Sequence, residues 1–159
     1  MAAKGETNTG RESDDAAVWF YREIVQPTVA ESLTERDSVR RGVLACIVLT
    51  HMADHYFHAR KPVAKKDEFQ EELRKNGAFR LIEDVTNGTK HVKRVTKSGK
   101  VIRLGFEDIV AQEINLGNLH AGWPISGKEV MVEDGKNIWL LAQLITIVDE
   151  MWRTKLDLL

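Results

Sequence analysis

Three of the five histidines in this chain lie within residues 50–58, with one aspartate among them. His51, His55 and His58 follow the spacing i, i+4, i+7, so a helix would project them from one face, with Asp54 beside them. Two histidines one helical turn apart can share a transition-metal ion, and Asp54 would serve as a further ligand or as an orienting carboxylate. The alternative is structural, in which hydrogen-bonded imidazoles fill the edge of a core.

These histidines follow the most apolar run of the sequence, residues 43–49, which has no polar face. A helix of this kind is surrounded by protein, so the sequence predicts a central helix over residues 37–60. Leu44, Ile47 and Val48 continue the histidine face one and two turns earlier. This continuity predicts that the imidazoles point inward or along a groove.

A second polar stripe lies on the helix predicted for residues 78–92. It consists of Arg80, Asp84, Asn87 and His91, at the spacing i, i+4, i+7, i+11. Its simplest interpretation is a solvated face with an ordinary ion pair. Asn87 in the middle of a helix weakens it, which indicates a specific partner. The sequence therefore predicts a buried polar junction in which Asp54 and its neighbouring histidines meet Asn87 and His91.

Residues 91–104 alternate apolar and basic side chains around Ser98-Gly99, which predicts a β-hairpin. Six basic residues lie in or beside this hairpin: Lys90, Lys93, Arg94, Lys97, Lys100 and Arg103. They could contact the phosphates of a nucleic acid. They could equally protect an exposed strand edge from aggregation.

The remaining helix ends follow from capping residues and prolines. We expect Ser13-Asp14-Asp15 to cap a first helix, with the acidic residues in its first turn, and a kink or restart at Pro27. Further boundaries are predicted as follows: Thr34 or Asp37 caps the central helix, Lys61-Pro62 ends it, Asp67 starts a short helix, and Asn76-Gly77 closes that helix.

The end of the chain combines strands with a last helix. Residues 106–114 fit either a short helix or a strand, and residues 129–133 predict a strand. Asn137 would cap a last helix over residues 138–156. Three tryptophans at helical positions are predicted to be in the core, namely Trp19, Trp139 and Trp152. Trp123, in a loop rich in glycine, would be a contact anchor for a partner.

Composition excludes several classes of protein. The net charge of −1 provides no overall field for nucleic acid, and a single cysteine, Cys46, excludes an internal disulfide. The N-terminus lacks a signal peptide's apolar region and no apolar run could span a membrane, which predicts a cytoplasmic protein without a membrane partner. We expect a disordered tail over residues 1–12 and one domain over residues 13–159. Its fold class is mainly α, a four- to five-helix bundle with a small antiparallel hairpin or sheet before the last helix.

Residues 84–91 and Met52-Ala53-Asp54 resemble a pattern, D-x-x-N-x-x-K-H after an earlier helix, of small bacterial helical proteins related to the HEPN superfamily. In organisation the resemblance extends over residues 37–157. It implies a helical bundle, commonly a homodimer. Many HEPN domains are metal-independent ribonucleases with an Arg-x(4–6)-His motif. His91 and Asn87 match that motif here, whereas Arg80 lies too far upstream.

The resemblance therefore implies a non-catalytic binding or assembly module without a cofactor, acting on a protein partner or RNA. One alternative is an active ribonuclease of a toxin or defence system. In it, His91 would transfer the proton, and Arg80 or Lys90 would stabilise the phosphate. The other alternative is a bundle that binds a divalent transition metal through His51, His55 and His58.

Overall fold

A computed structural model describes residues 15–62, 64–90, 109–113, 128–133 and 137–159. The helices and strands are, in chain order, α1 (Ala16–Phe20), a π-helical segment (Tyr21–Val25), α2 (Gln26–Thr34), α3 (Val39–Arg60), α4 (Lys66–Arg74), α5 (Gly77–Lys90), β1 (Ile109–Glu113), β2 (Lys128–Glu133), β3 (Ile138–Leu140) and α6 (Leu141–Lys155). The predicted class is confirmed: the protein is mainly helical, with a small antiparallel sheet before the last helix.

The first three elements form one continuous helical rod, in which a new α-helix begins at Gln26 with Pro27 in its first turn, in agreement with the predicted restart. Proline has no N–H and its ring crowds the carbonyl one turn back, and here the π-helical segment lies immediately before it. Asp15 was expected in the first turn of this helix and instead caps it, because its Oδ1 accepts from the N–H of Ala17 at 3.0 Å. Tyr21 in the π-helical segment donates from its hydroxyl to Oδ1 of Asp149 at 2.7 Å, which ties the rod to α6.

The central helix α3 begins after Ser38, whose Oγ accepts from the N–H of Arg41, so the predicted caps Thr34 and Asp37 are wrong. Its end is as predicted, since Lys61 adopts a left-handed conformation with φ 44° directly before Pro62. One face of α3 is buried, and it consists of Gly42, Ala45, Cys46, Leu49, Met52 and Ala53. The opposite face is open to solvent, so α3 is central without being enclosed.

Helix α5 is strongly amphipathic and carries the predicted apolar face of Phe79, Ile82 and Val85. We expected Asn76 to close α4, but it caps α5 instead. Its Oδ1 accepts hydrogen bonds from the N–H groups of Ala78 and Phe79. Asparagine favours both kinds of helix end, so the short α4–α5 connection was ambiguous in sequence.

The sheet has the order β1-β2-β3 and is antiparallel throughout. Strand β2 is the predicted strand, and β1 shows that residues 109–113 are strand rather than helix. The segment expected to begin the last helix is instead β3, which pairs Ile138 with Glu133 and Leu140 with Met131. The last helix therefore begins at Leu141, without the predicted side-chain cap from Asn137.

Trp152 joins α6 to α3 in the core. Its ring is fully buried and its indole N–H donates to the backbone carbonyl of Leu49 at 2.9 Å. Nearer the start of α6, a Cβ at Gly42 would lie 2.6 Å from Cδ2 of Leu141, so the glycine allows the two helices to approach. Two other tryptophans were predicted to be in the core, but Trp19 is 55% exposed and Trp139 is 37% exposed.

Three sequence predictions lie outside the described residues: the tail, the hairpin over residues 91–104 and the loop that contains Trp123. Of the helices within the described residues, none combines the length and the apolar character that crossing a membrane would require.

The two tryptophans at either end of the β3–α6 segment give a direct test of this packing. Trp152→Phe should lower the free energy of unfolding by about 2–3 kcal/mol, because it removes a buried hydrogen bond and part of a filled volume. Trp139→Phe should change it by no more than about 0.5 kcal/mol, because Trp139 is partly exposed. Urea denaturation followed by circular dichroism measures both. Equal losses in the two variants would contradict this account of the core.

Candidate functional site

The three helical histidines lie on the solvent face of α3. We call this face the α3 stripe, and it consists of Arg40, Leu44, Ile47, His51, His55 and His58. These side chains share an arc of about 80° on the helix, and all are exposed except the half-buried Ile47. The histidine face does continue into Leu44 and Ile47 as predicted, but it does not point inward. Burial of Leu49, Met52 and Ala53 sets the rotation of the helix and turns the histidines outward.

His55 is nevertheless in close contact with a neighbour. Its imidazole stacks on the ring of Phe20 with a centroid distance of 3.7 Å and an interplanar angle of 9°. Partial burial lowers the pKa of His55 below its ordinary value, and the neighbouring His51 lowers it further, while Asp54 acts in the opposite direction. The stacked imidazole is therefore held in its neutral form more strongly than a free histidine.

The rod and α3 run antiparallel in a fixed register. Arg60 forms an ion pair with Asp15, with 2.5 Å between Nε and Oδ2, and five residues further along each helix His55 meets Phe20. The same register brings Ile24, which is 38% exposed, about level with His51. Phe20 and Ile24 thus border the histidine part of the stripe. The sequence analysis did not identify this border, because it depends on how the first helix packs on α3.

A cleft of about 290 Å³ lies at the end of the stripe and is lined by Ala16, Asp54, His55, His58 and Ala59. Three of the four predicted metal ligands line it. Asp54 is already paired with Lys66 of α4, with 2.8 Å between Oδ1 and Nζ. His51 and His58 are about 10 Å apart along the helix axis, too far to share one ion. Within the described residues, no three or more His, Cys, Asp or Glu side chains are placed to hold a metal ion.

The polar contact between α3 and α5 uses threonines. The hydroxyls of Thr50 and Thr86 lie 3.1 Å apart, and Thr86 is buried. Asp54 is exposed and turned towards α4, so the predicted buried junction of Asp54 with Asn87 is wrong. Short hydroxyl groups fit between closely packed helices, and each can also bond to its own helix backbone, as Thr50 does to the carbonyl of Cys46.

The residues predicted for catalysis are spread along α5. Arg80 is exposed in the first turn, and Asn87 is half-buried near the end. His91 lies just beyond the described part of α5. Of the predicted nucleic-acid ligands, Lys90 is the last residue of α5, while Lys93, Arg94, Lys97, Lys100 and Arg103 fall outside the described residues.

Arg80 contributes instead to a second concave surface. We call it the α5–α6 groove: it has a volume of about 450 Å³ and is lined by Asn76, Gly77, Ala78, Arg80, Leu81, Asn137, Trp139, Leu144 and Ile147. Its rim includes Trp139 and Ile147, which are 37% and 46% exposed. Sequence reasoning missed this groove because it placed Trp139 on a helix and in the core.

Comparison of the chain with family models, with curated proteins and with solved structures finds no match.

The Phe20–His55 stack predicts an observable titration. In NMR titration His55 should have a pKa below the ordinary histidine value, and Phe20→Ala should raise it, because the imidazole becomes more hydrated. A lowered pKa means that the folded chain binds this proton less readily than the unfolded chain. Neutral His55 therefore makes its full contribution to folding stability above the ordinary histidine pKa. That stability is lost as the pH falls through the ordinary pKa towards the lowered one.

Trp19→Ala is the matched control for this titration, because Trp19 is a neighbouring exposed aromatic residue on α1. It should leave the pKa of His55 unchanged. An unshifted pKa in the wild type, or the same pKa in Phe20→Ala, would show that the stack does not control this group.

Proposed function

We propose that this chain is a non-catalytic, HEPN-like binding and assembly module that functions as a homodimer. The α3 stripe is the observation that carries the proposal. It extends for about 27 Å along the central helix, and its middle is apolar while its face is open. Leu44 is 41% exposed there, beside the half-buried Ile47. An exposed apolar band bordered by polar residues is typical of an interaction surface.

Charges on and beside the stripe favour a second copy of the same chain as its partner. Arg40 and Asp54 lie seven residues before and seven residues after Ile47. If two copies of α3 pack antiparallel about a two-fold axis at Ile47, Arg40 of each copy faces Asp54 of the other. A symmetric interface must be self-complementary in this way. Asp54 is about half exposed despite its pair with Lys66, so it can accept a second cation.

Neutral histidines suit such an interface. In the same antiparallel arrangement, Leu44 of one copy lies beside His51 of the other, and His55 on its Phe20 platform lies next along the helix. Imidazole in its neutral form combines an apolar ring face with a hydrogen-bonding edge. Burying the charged form would cost free energy. The lowered pKa of His55 therefore favours the dimer at neutral pH.

The spacing along α5 favours a non-catalytic module over a ribonuclease. Cleavage at His91 would need a cation beside the phosphate, and Arg80 was one candidate. Arg80 lies ten residues before Lys90, about 15 Å along the helix axis. Its side chain lines the α5–α6 groove. Arg80 therefore lines a different surface from the end of α5, where Lys90 lies.

Substitution of Leu44 tests the dimer directly. The wild-type chain should sediment as a dimer in analytical ultracentrifugation, and Leu44→Lys should sediment as a monomer, because it places a charge in the apolar centre of the interface. Ile147→Lys is the matched control, since Ile147 is similarly exposed but lies on α6. It should remain a dimer. A monomeric wild type, or loss of the dimer in both variants, would contradict the proposal.

Charge reversal tests the two-fold arrangement separately. Arg40→Asp and Asp54→Arg should each weaken the dimer, because each places like charges opposite one another. The double variant should recover most of the wild-type affinity. If the loss of binding free energy in the double variant equals the sum of the losses in the two single variants, the helices do not pair about Ile47.

Incubation with RNA separates the module from the enzyme. We expect wild-type protein and His91→Ala to leave a labelled single-stranded RNA equally intact, with pancreatic ribonuclease as the positive control. Cleavage by the wild type that is lost in His91→Ala would contradict the non-catalytic proposal. The chain can form the proposed dimer whether or not it cleaves RNA, so this result is independent of the sedimentation result.

A further inference from the structure

We propose that the α5–α6 groove binds a short peptide segment of a partner protein in which an apolar side chain lies next to an aspartate or glutamate. The proposal concerns a different surface from the α3 stripe. The groove's lining residues come from α5, β3, α6 and the residues that precede them. It would serve the same binding module by recruiting a second type of partner.

The apolar half of the groove is formed by large side chains at its rim. Leu81 and Leu144 are buried at its floor, whereas Trp139 and Ile147 remain partly exposed above them. Trp139 is held out by β3, since its neighbour Leu140 points into the core while the strand pairs with β2. An exposed tryptophan over an apolar floor is the composition found at the energetic centres of protein interfaces.

The polar half of the groove is positive. Among the described residues of the lining, Arg80 is the charged one, and it is exposed at the start of α5. The same end of α5 carries the positive pole of a fourteen-residue helix, and Gly77 of its first turn lies in the lining. Within the described residues, Arg80 forms none of the ion pairs that engage other arginines, such as that of Arg74 with Glu83. Its guanidinium is therefore available for a carboxylate.

The side-chain amide of Asn76 is already hydrogen-bonded within the protein, so it does not take part in binding the ligand. Its Oδ1 accepts from two backbone N–H groups of α5, and its Nδ2 donates to Sδ of Met151 at 3.7 Å. Among the described lining residues, Arg80 and Asn137 are then the side chains that can donate to an acidic group, and the planar guanidinium of Arg80 can bind a carboxylate through two parallel hydrogen bonds. Trp139 and Ile147 then receive the adjacent apolar side chain.

The shape of the groove favours a peptide over a small metabolite. Its volume of about 450 Å³ would suit either kind of ligand, but its rim residues stay partly exposed. Sites for small molecules enclose most of their ligand. An open groove with one arginine and one tryptophan instead suits a segment that continues beyond it on both sides.

Selection from a random heptapeptide library displayed on phage, with the full chain as bait, tests the proposal. The enriched peptides should share an acidic residue beside an apolar one. A fluorescein-labelled copy of the commonest peptide should bind in fluorescence anisotropy, and Arg80→Gln should weaken it at least roughly tenfold, because a charge-assisted pair is lost. Ile147→Lys should weaken it similarly. Leu44→Lys is the control on the α3 stripe and should bind normally.

A double-mutant cycle identifies the pair itself. Replacing the peptide's acidic residue by its amide should weaken binding to the wild type but not to Arg80→Gln. Because Arg80 and Ile147 are exposed, their substitution should leave the circular dichroism spectrum and the dimer unchanged. Four results would overturn the proposal: no enrichment, a consensus without an acidic residue, equal affinity for Arg80→Gln, or loss of binding in Leu44→Lys. None of them bears on whether the chain is a dimer.

Discussion

The hydrogen bond from the Trp152 indole to the Leu49 carbonyl is the contact on which the rest of the structure depends. It is fully buried, and it joins the last helix to the middle of the central one. Around it Tyr56 and Phe79 pack on the same indole, with ring centroids 5.8 and 6.1 Å away. The contact therefore fixes the position of α3 along its axis, and its rotation about that axis, relative to both α5 and α6.

That rotation decides what the surface presents. Once Leu49 and Met52 face the core, the helical period places Leu44, His51 and His55 on the opposite side. The protein then retains an open apolar band on its most central helix. Phe20 partly covers the histidine end of the stripe by stacking on His55, which makes one histidine a packing group rather than a free base. We infer that the second copy of the chain completes this cover.

The sequence predicted the helices whose ends carry strong local signals. Asp15 caps the first helix and Lys61-Pro62 ends the central one, because a carboxylate cap and a proline act on their own backbone. The prediction from sequence failed where tertiary contacts determine which side of a helix is buried or which element forms. Residues 43–49 are all apolar, so periodicity could not show which side would be buried. Ile138 and Trp139 fit a helical pattern, but pairing with β2 makes them a strand.

The candidate site, too, could be predicted only in part from the sequence. The spacing of His51, His55 and His58 correctly placed them on one face, but spacing alone does not tell an inward face from an outward one. The α5–α6 groove was not predictable, because it combines residues from α5 and α6 that only the fold brings together. Arg80 was noticed for its place on a polar helical stripe. Its contribution to a groove beside Trp139 depends on the position of β3.

Disulfide trapping at the two-fold axis tests the central claim most directly. Cys46 is buried and burial raises the pKa of its thiol, so it should not react under mild oxidation. An Ile47→Cys variant should then form a disulfide-linked dimer, because antiparallel α3 helices bring residue 47 of the two copies face to face. An Ile147→Cys variant should remain unlinked. If Ile47→Cys forms no more linked dimer than Ile147→Cys, the chain does not assemble through α3.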